Sequence, residues 1–187
     1  MDNLTGSEKK VRVLLLATLT CIATMIVKMP IPGGGYVNLG DGFMLACGMI
    51  LGPLPGALAA GAGSALADLI NGYSPTAPAT FVIKALSATV AAIIYKLLAR
   101  KYLSAHYSYM DVSIAGAAGE AFMIFGYFSY DMIRIIYGSD RLSRTILSQA
   151  VSSAALAVPY NLLQAAIGIT ITSVMTPFLV KLLIRGK

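Results

Sequence analysis

Charge is scarce in this chain, and the residues of metal and thiol chemistry are scarcer still. Of 187 residues, 12% are charged, about half the share of a soluble domain. The single histidine, His106, lies in a polar loop, and the two cysteines, Cys21 and Cys47, both sit inside apolar runs. That excludes a zinc ligand set and a histidine-based triad. It leaves the cysteines as small buried hydrophobes. No glycine-rich phosphate loop ending in Lys and Ser/Thr is present, so the chain holds no ATP-binding motor of its own. Nor is there a second half of the kind that inverted-repeat transporters carry. No metal and no cofactor is implied.

What is abundant is apolar surface. Hydrophobic residues make up 57% of the chain and the mean hydropathy is +0.77, the composition of an integral membrane protein. The expected fold is all-α, a single integral-membrane domain over 1–187 built as a bundle of six transmembrane helices. A spanning helix takes roughly 17 to 25 residues, which places helices at about 11–28, 40–53, 56–72, 79–99, 112–137 and 160–184. The second is short, and the run from Gly52 to Gly56 (GPLPG) forces a tight turn after it. The stretch 139–158 reads as a polar loop followed by a short helix over the outer face. The basic stretch before the first apolar run resembles a signal peptide, but five more apolar segments follow, so an uncleaved first helix is expected.

The net charge of +6 is a topology signal rather than a nucleic-acid patch. Six crossings bring Lys9, Lys10, Arg12, Lys96, Arg100, Lys101, Lys181, Arg185 and Lys187 to one side, leaving Lys28, Lys84, Arg134, Arg141 and Arg144 elsewhere. The excess puts both termini in the cytoplasm.

Against this background a few polar residues stand out, because an ionisable group inside a membrane segment usually faces a cavity, a partner or a ligand. Asp41, Asp68 and Lys84 fall within the hairpin of helices two and three and the start of helix four. Asp68 and Lys84 each lie eight residues from Thr76, the expected centre of the intervening loop. That puts them at similar depth, where they either pair with each other or meet a ligand. In helix five, Glu120, Tyr127 and Asp131 share a face, with Tyr130 on the flank; the tyrosines suit either a ligand or an interfacial belt. In helix six, Asn161, Gln164, Gly168 and Thr172 form a stripe suited to helix packing or to ligand contact. The outer loop KMPIPGGGYVNLGD combines stiff prolines with consecutive glycines and ends in Tyr36 and Asn38. It reads as a hinged lid or as an ordinary connector. Together these residues describe an outward-facing, aromatic-lined pocket for a small polar heterocycle. A stand-alone channel or proton-coupled carrier using Asp68, Lys84 and Glu120 as a relay is the competing class. An intramembrane enzyme lacks a nucleophile–base pair.

Small residues mark two helices. Gly56, Ala60, Gly63 and Ala67 share a face of helix three, and Ala17, Thr20, Cys21 and Thr24 line helix one. The latter stripe is the candidate surface for a partner protein, since a first helix often lies at a bundle edge.

The run VNLGDGFMLACGMILGPLPGALAAGAGSALADLINGYSPTAPATFVIKAL, with GEAFMIFGYFSYD and PYNLLQAAIG, resembles the substrate-binding S components of energy-coupling factor (ECF) vitamin transporters. The resemblance is greatest to the riboflavin-type group that includes hydroxymethylpyrimidine and pyridoxine carriers. It implies tight vitamin binding near the outer face of a bacterial cell membrane. It also implies assembly with a membrane coupling protein (the T component) and two cytoplasmic ATPases, and toppling of the S component to deliver its ligand. A small-residue AxxxA motif on helix one would meet the coupling protein; here it is Ala17-x-x-x-Cys21. The expected vitamin is a B6 form or hydroxymethylpyrimidine, with riboflavin as the alternative.

Overall fold

The structure, a computed structural model, describes residues 6–31, 35–99, 108–139 and 143–184. His106 and the topology residues Arg100, Lys101, Arg141, Arg185 and Lys187 lie outside the described residues, as does the middle of the expected lid. Six α-helices account for nearly all of the described chain: α1 (Gly6–Ile26), α2 (Gly40–Leu51), α3 (Pro53–Ile70), α4 (Ala77–Ala99), α5 (Tyr109–Tyr137) and α6 (Arg144–Ile184). The all-helical expectation missed one feature. Between α1 and α2, β1 (Met29–Pro30) and β2 (Tyr36–Val37) pair antiparallel, with Pro30 opposite Tyr36.

The short helix is the centre of the bundle. At 12 residues, α2 extends about 18 Å, too little to cross a hydrocarbon layer of about 30 Å. Nearly all of its residues are buried, as expected of a helix that is apolar on every side. It touches α1, α3, α4 and α6, and α5 more lightly, while α1, α3, α4, α5 and α6 follow one another around it. Gly48 makes this close approach possible, since a Cβ there would stand 2.1 Å from the carbonyl oxygen of Ala88 on α4. The turn into α3 is a single residue, Gly52, at φ +88°, a backbone conformation that favours glycine. Pro53 then opens α3, where its missing N–H costs nothing.

Four helices, α3 to α6, are long and apolar enough to cross a membrane. Large apolar side chains such as Leu14, Leu54, Leu66, Phe125, Leu162 and Phe178 point outward. A water-soluble monomer does not expose so much apolar surface, and the chain is a multi-pass membrane protein. The first turns of α1 instead carry Glu8, Lys9, Lys10 and Arg12.

One expectation needs correction. Within the stretch 139–158, expected to be a polar loop and then a separate short helix, residues 144–158 belong to one 41-residue helix, α6, with Pro159 and Pro177 inside it. A proline removes one backbone bond and bends a helix without having to end it, and the alanine-rich turns before Pro159 favour continuation. Three of the four small residues of the α1 stripe turn inward, while Ala17 is half-buried. Thr20, Cys21 and Thr24 are buried, and Thr20 Oγ1 lies 3.5 Å from Cys47 Sγ of α2. A Cβ on Gly63 of α3 would come within 2.4 Å of the Ala17 carbonyl oxygen. The stripe lets α1 settle against α2 and α3. The outward face of α1 is Val11, Leu14, Leu15, Ile22 and Ile26.

Candidate functional site

The first turn of α2 begins at the inner end of the hairpin, and Asp41 lies in it, where a helix N-terminus favours a carboxylate. Lys84 of α4 donates to Asp41 Oδ1 in a fully buried ion pair. Gln164 of α6 donates from Nε2 to Asp41 Oδ2 at 2.6 Å. Its Oε1 in turn accepts from the Asn38 backbone N–H at 2.8 Å and from Asn38 Nδ2 at 3.3 Å. Asn38 Oδ1 accepts from the Gly40 N–H at 2.8 Å. This network ties α2, α4, α6 and the end of the hairpin together.

Glu120 of α5 lies beside the network. A Cβ built on Gly168 of α6 would meet Asp41 Cβ at 2.9 Å and Glu120 Oε1 at 3.0 Å, so the glycine is what admits both acids. Glu120 is 1% exposed, and neither carboxyl oxygen has a hydrogen-bond partner among the described residues. Thr172, one turn further along α6, donates to the Gly42 carbonyl oxygen at 2.7 Å.

Asp68 of α3 has different company. Tyr36 Oη donates to Oδ1 at 2.6 Å and Thr80 Oγ1 donates to Oδ2 at 2.6 Å. Tyr127 Oη reaches Thr80 Oγ1 at 3.4 Å, and Asn71 Nδ2 reaches Tyr36 Oη at 3.4 Å. The rings of Tyr36 and Tyr73 are 4.9 Å apart and tilted by 47°. Burial first, and then the bond to Asp68, push the Tyr36 phenol well above its ordinary range, so it remains a donor. Of the two alternatives open for Asp68 and Lys84, the mutual ion pair is not formed, since Lys84 pairs with Asp41, and the reason is depth. With α3 ending at Ile70 and α4 beginning at Ala77, the loop is centred near Ser74 rather than Thr76. Thr80, not Lys84, is level with Asp68.

These elements enclose a cavity of about 170 Å³. Of the residues singled out in the sequence, Tyr36, Asn38, Asp68, Lys84, Tyr127, Tyr130, Asp131, Asn161 and Gln164 line it. Asp41 and Glu120 do not; they lie behind the Lys84 and Gln164 side chains as a buried support. Tyr73, Thr76, Thr80, Ser64, Thr24 and Arg134 also line the cavity and were missed. Thr80 was within reach of the sequence, being one helical turn before Lys84 on the same face. Lys84 Nζ stands 5.4 Å from the centre of the Tyr127 ring, within cation–π range. Arg134 and Asp131 pair at 3.5 Å on the more exposed flank. Chemically the cavity offers carboxylate and hydroxyl groups, one ammonium and several aromatic faces. Among the described residues no three His, Cys, Asp or Glu side chains come together to hold a metal.

Comparison with known proteins gives two findings. The family described as ECF-type riboflavin transporter, S component, matches residues 7–181. A protein of Pyrococcus woesei, described as an uncharacterized protein in a gap 3′ region, is 48% identical over 64 residues. That segment is 34% of this chain and 43% of the relative, so the chain spans less than half the length of the curated relative it matches.

Proposed function

We propose that this chain, which belongs to the family of ECF-type riboflavin transporter S components, captures a small water-soluble vitamin in the cavity between the hairpin and helices α3 to α6. The supporting observation is the convergence of Tyr36, Asp68, Lys84, Tyr127, Asn161 and Gln164 on one cavity inside an otherwise apolar bundle. Such a family member is a binding component and not an enzyme. Energy for uptake would come from two cytoplasmic ATPases joined through a membrane T component, with the S component in the cytoplasmic membrane of a bacterium. In this reading all six helices cross, α2 being completed by the hairpin and its neighbours, and both termini are cytoplasmic.

The ligand we favour is a single-ring heterocycle, a vitamin B6 form or hydroxymethylpyrimidine, over riboflavin. Pockets for drug-sized ligands run from roughly 300 Å³ upward, and this cavity is about 170 Å³. Its inner wall is closed by the Lys84 and Gln164 contacts to Asp41, which leaves little depth for a fused tricyclic ring. The α1 contact to a T component would use Leu14, Leu15 and Ile22, which are exposed, with Ala17 at its edge.

The test is mass spectrometry of small molecules released from the purified protein, followed by calorimetric titration. A pyridoxine-type or pyrimidine compound near one-to-one supports the proposal; riboflavin would correct the ligand and keep the class. Glu120, buried without a partner beside the Asp41–Lys84 pair, gives the carrier reading its one foothold. Sustained uptake into liposomes driven by a pH gradient alone, without ATPases, would replace the S-component reading with that one.

A further inference from the structure

We infer that the ligand of this cavity is a cation, an aromatic heterocycle carrying a positively charged nitrogen against Asp68. The inference rests on the reading of the chain as a vitamin-binding subunit and specifies the charge of what it binds.

Asp68 is the acidic side chain lining the cavity that has no ion-pair partner among the described residues. Lys84 is committed to Asp41, and Arg134 pairs with Asp131. Asp68, 5% exposed, accepts two hydrogen bonds from neutral hydroxyls, Tyr36 and Thr80. Both are 2.6 Å long, the length typical of a hydroxyl donating to an ionised carboxylate. Among the described residues no Lys or Arg nitrogen lies within ion-pair distance of it. The closest link to a cation runs from Lys28 Nζ through the Asn71 side chain to the Tyr36 hydroxyl, and Lys28 does not line the cavity. A carboxylate kept out of water with only neutral donors is costly, and a ligand cation removes that cost.

The surrounding side chains suit the same occupant. Tyr36, Tyr73, Tyr127 and Tyr130 all line the cavity, and tyrosine faces attract cations, most strongly where water is excluded. Hydroxyl donors already occupy both oxygens of Asp68, one each, yet each carboxylate oxygen has two lone pairs. The acceptor capacity left over is available to an N–H of the ligand or to the field of a quaternary nitrogen.

The experiment is calorimetric titration of the purified full chain with four probes. Thiamine and pyridoxamine carry a net positive charge at neutral pH; pyridoxine, whose ring nitrogen is protonated only against its own phenolate, and riboflavin carry none. Pyridoxamine and pyridoxine differ only in an ammonium against a hydroxyl. We expect the tightest probe to be cationic and pyridoxamine to bind at least roughly 10-fold more tightly than pyridoxine. Asp68→Asn should weaken the cationic probes by roughly 10- to 100-fold, the scale of a hydrogen bond to a charged group, and the uncharged ones by less than about 3-fold. Asp68→Glu should restore part of the loss. If riboflavin or pyridoxine binds tightest, or Asp68→Asn leaves cation binding unchanged, the cation inference is overturned while the vitamin-binding reading stands. If no probe binds, the cation inference falls, and the mass-spectrometric test of released small molecules decides the vitamin-binding reading. Should Asp68→Asn fail to fold in detergent, the ranking of the four probes on the unaltered chain decides by itself.

Discussion

Two buried aspartates of one bundle, Asp41 and Asp68, show how one residue type serves two purposes. Asp41 is surrounded by the protein: an ammonium from α4, an amide from α6 and the start of a central helix. Asp68 is met by two neutral hydroxyls and a cavity. The first belongs to a closed network that fixes the register of α2, α4 and α6. The second, on our proposal, meets the ligand. A buried carboxylate is therefore informative less by its burial than by the sign and origin of what satisfies it.

Lys84 offers the largest way to break this contrast. Removing it as Lys84→Ala leaves Asp41 charged and buried, which should cost about 3–5 kcal/mol. The expected result is a large fall in the thermal midpoint in detergent. The double variant Asp41→Leu with Lys84→Met should recover much of that loss, because a well-packed apolar pair replaces a buried ion pair at little net cost. If the double variant is as unstable as the single one, the network is not closed in the sense argued.

Gly48→Ala probes the closed side through packing. A Cβ at 2.1 Å from the Ala88 carbonyl oxygen must push α2 and α4 apart, at a cost of about 1–3 kcal/mol. Ligand affinity should fall with stability here, because Lys84 and Asp41 sit on the two helices being separated.

On the open side the effect should be on ligand and not on fold. Tyr36→Phe removes one donor from Asp68 and keeps the ring against Tyr73. We expect a stability change within about 1 kcal/mol and a several-fold change in vitamin affinity by calorimetry. A collapse of the thermal midpoint would instead make Tyr36 part of the scaffold.

The smallest expected effect is at Glu120. No neighbouring N–H or hydroxyl donates to either oxygen among the described residues, so Glu120→Gln keeps the shape of a buried side chain and removes an acidic group beside Asp41. The midpoint should stay within about 1 kcal/mol of the unaltered protein or rise. A strong fall in binding would make Glu120 a participant rather than a neighbour.

Much of this arrangement is legible in the sequence. The helical segments followed from apolar runs, and GPLPG marked the turn at Gly52 and the shortness of α2. Nine of the eleven side chains singled out for the site do line the cavity, because polar residues in apolar helices have few other places to go. Pairing was not legible. Lys84 and Asp41 are 43 positions apart, and only the rotation of α4 toward α2 decides which acid it meets. The hairpin's two-residue strands are too short to show an alternation, and the continuation of α6 through Pro159 depends on packing rather than on propensity. The stripe on α1 shows the same limit: small residues announce a close contact and do not say with what.

The most direct test of the contrast is a crossed comparison of Asp68→Asn and Asp41→Asn, each measured for thermal midpoint and for affinity toward whichever vitamin the unaltered chain binds. Asp68→Asn should keep its midpoint and lose roughly 10- to 100-fold in affinity, while Asp41→Asn should lose its midpoint first. An Asp68→Asn protein that unfolds early beside an Asp41→Asn protein that is stable but no longer binds would contradict the account.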